Sequence, residues 1–132
     1  MYAARHQDDL LSLKAAGAVT ATATHLSIDT GGTGLYQADV VIDLTAMSGN
    51  ALFVPEIQGS NVADFSSGVQ SLWAASWDQG ASAAPAVGST YSYPLRNSID
   101  GKTFYRYLRM KTSIAGGSSP SINYKARLAV GP

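Results

Sequence analysis

The chain has 132 residues, a formal net charge of zero at pH 7 and no cysteine, enough for one domain with a real core and nothing for disulfides, iron–sulfur clusters, cysteine zinc sites or thiol catalysis. Charged residues make up only 14%, and seven tyrosines accompany abundant Ala, Ser, Thr and Gly, which suits twisted sheets joined by tight turns better than a helical bundle. Through residue 95 only Arg5 and Lys14 oppose eight carboxylates, whereas from Arg96 onward seven cations oppose Asp100 alone. Such polarity favours pairing between sheets, or head-to-tail contact between copies.

Residues 1–17 read as an N-terminal arm with a short anchored piece, Leu10-Leu11-Ser12-Leu13, and residues 18–132 as a single β-sandwich domain. The opening residues lack an apolar core followed by a small-residue cleavage site, and no apolar run reaches membrane-spanning length, so the expectation is a soluble protein without a cleavable signal and without a membrane partner. Residues 18–28 are β-prone through their threonines. After the break at 29–34, Tyr36, Ala38, Val40, Ile42 and Leu44 alternate with Gln37, Asp39 and Asp43, a strand with one face in. Ser48-Gly49-Asn50 turns the chain into a strand over 51–58, where Pro55 argues for an edge or a bulge. A polar loop at 59–68 precedes a strand over 69–77, with Val69, Trp73, Ala75 and Trp77 on one side. Residues 78–88 form a loop, 90–95 a short strand, and Asp100-Gly101 a tight turn.

The cleanest alternation comes last. Phe104, Leu108, Met110 and Ile114 share one face, with Arg106 and Thr112 as exceptions, while Tyr105, Tyr107, Arg109, Lys111 and Ser113 share the other. It resumes after a Gly-rich break with Ile122, Tyr124, Ala126, Leu128 and Val130, so the two runs read as a hairpin. In that register Lys111 faces Lys125 and Arg109 faces Arg127. Like charges opposite one another are destabilising and call for acidic company, from Asp39 and Asp43 on a neighbouring strand or from a partner. The whole pattern is all-β: an antiparallel sandwich of seven or eight strands, with Phe104, Leu108, Met110, Leu128, Tyr124, Val40 and Ile42 in one core.

No set of residues points to catalysis, and neither metal nor cofactor is called for. His6 and His25 stand at no metal-ligand spacing, no Gly-x-Ser-x-Gly elbow exists, and the glycines at 31–34 are wrongly spaced for a phosphate loop. Trp73 and Trp77, four apart on a strand, share a face and suit a core, a protein contact or a sugar-stacking platform, the last making a carbohydrate-binding module the alternative function. Arg109, Lys111, Lys125 and Arg127, with Tyr105 and Tyr107, suit internal pairing or an acidic protein surface; a nucleic-acid partner is disfavoured because the domain is not basic overall.

Two segments carry a resemblance. Met1-Tyr2, then Leu10-Leu11-Ser12 followed by Ala18-Val19-Thr20-Ala21-Thr22-Ala23 and Ile28-Asp29, resembles the start of the small capsid cement, or decoration, proteins of short-tailed bacteriophages. Arg106-Tyr107-Leu108-Arg109, running into a Gly-rich turn and the last strand from Tyr124, resembles their close. The middle, 59–88, lies outside the resemblance. It implies a jelly-roll sandwich that sits on the outer surface of an icosahedral virion, assembles in the host cytoplasm as a dimer or trimer, bridges copies of the phage major capsid protein and catalyses nothing. The residues expected to meet a partner are Tyr2, Arg5, Leu10, Leu11, Tyr105, Tyr107, Arg109, Lys111, Lys125 and Arg127, with the arm adding main-chain hydrogen bonds to a neighbour's sheet edge.

Overall fold

The computed structural model describes residues 11–30, 37–81, 84–98 and 100–129; the expected arm, with Tyr2, Arg5, His6 and Leu10, lies outside them. Ten strands run in order: β1 (Ser12–Lys14), β2 (Ala18–Val19), β3 (Ala23–Asp29), β4 (Gln37–Ser48), β5 (Leu52–Ser60), β6 (Gln70–Ala74), β7 (Trp77–Asp78), β8 (Ser89–Arg96), β9 (Tyr107–Ala115) and β10 (Ser121–Ala129). They form two antiparallel sheets. Sheet A has the order β1-β10-β4-β8 with β2 also on β10, and sheet B the order β3-β9-β5-β6 with β7 also on β5. Counting the broken pairs β1/β2 and β6/β7 as one strand each leaves eight, in the orders 1-8-3-6 and 2-7-4-5, the strand order of a jelly roll.

The final two runs are strands, as their alternation predicts, but they are not a hairpin. β9 pairs with β3 and β5 in sheet B, while β10 pairs with β1, β2 and β4 in sheet A. The Gly-rich link between them crosses from one sheet to the other, beside the β4–β5 crossing. Gly117 has φ +78°, and a Cβ there would stand 2.5 Å from the Gly49 carbonyl oxygen. Ser118 N donates to that same oxygen at 2.8 Å. The two crossings thus touch through glycine backbones, an approach only residues without side chains allow.

Inner faces pack Val40, Ile42, Leu44, Ile122, Tyr124, Ala126 and Leu128 of sheet A against Phe53, Ile57, Trp77, Leu108 and Met110 of sheet B. Phe104, expected in the core, is 46% exposed because it precedes β9 and never joins its alternation. Pro55 sits inside sheet B, not at its edge, yet its missing N–H costs nothing. Its carbonyl accepts from Ala75 N at 3.0 Å, so its nitrogen points to the same side, where the neighbouring strand is interrupted between β6 and β7.

At the N-terminal edge the piece expected to be anchored is a strand. Ser12–Lys14, within the stretch assigned to the arm, is an edge strand of sheet A with Leu13 fully buried. A bulge sets Ser12 against Arg127 and Lys14 against Ala126, turning two consecutive residues toward the core. The expected strand over 18–28 is split into β2 and β3, one in each sheet.

Candidate protein-docking face

Polar side chains gather in a cleft at one flank of the sandwich and on the outer faces of both sheets. The cleft, about 440 Å³, is lined by Lys14, Ala15, Gly17, Ala18, Val19, Thr24, His25 and Leu26, and bulges deliver Lys14 and His25 to it. The β1 bulge turns Lys14 inward to 3% exposure. Its Nζ donates to the carbonyls of Ala15 (2.9 Å), Gly17 (2.9 Å) and Tyr124 (2.6 Å), using all three ammonium donors. The Tyr124 ring lies 4.7 Å away, and burial lowers the lysine pKa. Between Thr24 and Ser27 the β3 bulge places His25-Leu26 opposite Met110. His25 Nε2 reaches Thr112 Oγ1 at 2.8 Å, and Thr112 Oγ1 in turn meets the Tyr124 hydroxyl. This chain of three crosses between the sheets. Burial first, then the Lys14 charge, lowers the His25 pKa to about 4, and burial raises that of Tyr124. Lys14 and His25 are thus committed to the fold, so the cleft stitches β1, β3, β9 and β10 together.

The expected basic stripe is divided by the sheet crossing. Lys125 and Arg127 lie on the outer face of sheet A, where Arg127 Nη1 donates to Asp43 Oδ2 at 2.9 Å. Asp43 also accepts from Thr90 at 2.6 Å, and its pKa is lowered first by Thr90 and then by Arg127, against the opposing effect of burial. Lys125 stands opposite Asp43 in register. The acidic company expected from β4 is therefore real for this half.

Arg109 and Lys111 lie instead on the outer face of sheet B with Tyr107. Arg109 Nε donates to Gln58 Oε1 at 2.8 Å, and its Cζ sits 4.3 Å from the centre of the Phe65 ring. Gln58 Nε2 donates to Glu56 Oε1 at 3.4 Å, which turns the amide so that its oxygen faces the arginine. Phe65 is held at φ +57° by its loop, with its N–H on the Val62 carbonyl. Arg109 has no ion pair among the described residues, and its two terminal nitrogens make no hydrogen bond there. Lys111 faces Glu56 across the β5–β9 register, likewise without an ion pair.

No family model and no curated protein matches this chain. The site is accordingly argued from its geometry. Of the other residues expected to meet a partner, Leu11 and Tyr105 are half-buried against the core, and Tyr105 is further fixed through its backbone by Asn97. Trp77 is 4% exposed, edge-on to Tyr124, and Trp73 lies against Tyr93 with ring centres 5.0 Å apart. The pair therefore forms no exposed two-ring platform. Gln58 and Phe65 had no place among the expected site residues. An aromatic alone in a polar loop was the signal for Phe65, since it must find cover somewhere.

Proposed function

We propose that this chain is a non-enzymatic structural protein that decorates an icosahedral phage shell, bridging neighbouring major capsid subunits on its outer surface as an oligomer. One observation carries the assignment: the described residues of the two sequence segments that resemble cement proteins fold against each other. β1 and β2 lie along β10, and β3 lies along β9. A resemblance separated by most of the chain becomes one contiguous flank. The mechanism is multiplicative, because many copies that each hold two shell subunits turn a modest energy per contact into a large stabilisation of the assembly.

The test is attachment. Shells assembled from the major capsid protein encoded in the same genome are mixed with the purified chain and pelleted. Saturable co-sedimentation, with shells that survive higher temperature, is the expected result. A chain that leaves shells unbound and unstabilised overturns the assignment, and saturable binding on a glycan array would point to the carbohydrate module instead.

A further inference from the structure

We propose that Arg109 on the outer face of sheet B is a preformed seat for a carboxylate side chain of a partner protein. The guanidinium is fixed on two sides. Gln58 holds its Nε edge and Phe65 one of its faces, which leaves the edge formed by Nη1 and Nη2 open among the described residues. That edge presents two parallel N–H donors, the geometry that a carboxylate accepts in bidentate fashion. An arginine already ordered has little side-chain entropy left to lose when its ligand arrives.

The support beneath it is built for that purpose. Phe65 is a non-glycine residue at positive φ, a conformation that costs free energy and persists only where its surroundings impose it. Its loop is closed by Ser60 Oγ donating to the Ser67 carbonyl at 2.8 Å and by Val62 N donating to Ser60 Oγ at 3.0 Å. The effect is to keep an 8%-exposed aromatic ring under a guanidinium. Arg106 and Arg127 of the C-terminal half are neutralised by Asp29 and Asp43. Arg109 is neutralised by nothing described, and it stands beside Tyr107 and Lys111, a half-buried surround that suits a protein contact.

The occupant is a protein carboxylate and not a nucleic-acid backbone. Glu56 lies on the same face, opposite Lys111, and has no ion pair among the described residues, so a run of phosphates meets an uncompensated carboxylate beside a single open arginine. That the partner is a shell subunit rests on the function proposed above. The seat itself does not.

The experiment follows the Nε–Hε resonances of the arginines in the ¹⁵N-labelled full chain during titration with an acetylated hexaglutamate peptide. The expected result is a saturable shift at Arg109, small or absent at Arg127, with a parallel shift of the Gln58 side-chain amide that is lost in Arg109→Lys although the charge is kept. Gln58→Met should weaken binding about fivefold, the cost of ordering one freed side chain. Equal, non-saturating shifts at Arg109 and Arg127 overturn the seat. Tighter saturation of Arg109 by oligothymidylate than by the peptide overturns the choice of a protein partner. In the shell assay, wild-type attachment that Arg109→Glu leaves unchanged overturns the seat as shell anchor and leaves the cement function standing. Saturation by peptide from a chain that ignores shells does the reverse.

Discussion

Thr112 is the residue on which the polar seam depends, because it joins His25 to Tyr124 in the middle of the sandwich. Thr112→Val leaves the Tyr124 hydroxyl buried without a partner and is expected to cost about 1–3 kcal/mol, whereas Tyr124→Phe leaves Thr112 its bond to His25 and should cost about 1 kcal/mol. Denaturant unfolding of both variants and of the double variant checks this, and the double variant should be less destabilised than the two singles summed. His25 gives the seam a pH dependence. Its folded pKa of about 4 lies below the unfolded value of 6.5, so the unfolded chain takes up the proton first as pH falls. Its contribution to stability is whole above pH 6.5 and is lost between there and about 4. His25→Gln should flatten the stability profile in that window. An unchanged slope would show that another group governs it. Thr112 was visible in the sequence as an exception to the alternation of β9, a polar residue at an inward position. Lys14 was not, since the bulge that turns it inward has no local sequence signature.

The strands themselves were largely legible, and their partners were not. Alternation tells which residues share a face, but a strand with one apolar face can pair on either side with any other such strand. Val40, Ile42, Leu108, Met110 and Leu128 were therefore placed correctly in the core while β9 and β10 were placed in the same sheet. Five residues of Gly, Ser and Pro, 116–120, suit a hairpin loop and a crossing between sheets equally well. Leu108→Ala should cost about 2–5 kcal/mol, as for other fully buried leucines. The crossing has its own test in the glycines. Gly116→Ala meets open space and only a backbone penalty, roughly 1–2 kcal/mol, whereas Gly117→Ala also drives a Cβ into the Gly49 carbonyl. Thermal unfolding should rank Gly117→Ala well below Gly116→Ala. Equal melting temperatures would mean that the corners are not in contact.

For the molecule as a whole, the division of basic residues between two opposite faces predicts two different phenotypes from the same change of charge. Arg127→Glu removes the ion pair to Asp43 and sets two carboxylates together, so it should lower the melting temperature and leave attachment by the folded protein intact. Arg109→Glu should do the opposite, and added salt should mimic it by screening the docking contact. A protein in which both variants behave alike has no division of labour between its faces.

The pairing of the chain's first described strand with its last, Ser12 opposite Arg127, also bears on how the molecule comes into being. β10 lies between β1 and β4 at the centre of sheet A, yet it is the last of the described strands to be synthesised. Until it arrives, Val40, Ile42 and Leu44 of β4 and Leu13 of β1 lack their neighbour, and no arrangement of the earlier strands closes the sheet. The fold must therefore wait for β10 and form slowly, as structures dominated by distant pairings do. A chain that terminates before Ser121 should emerge as an aggregation-prone product and not as a smaller stable domain.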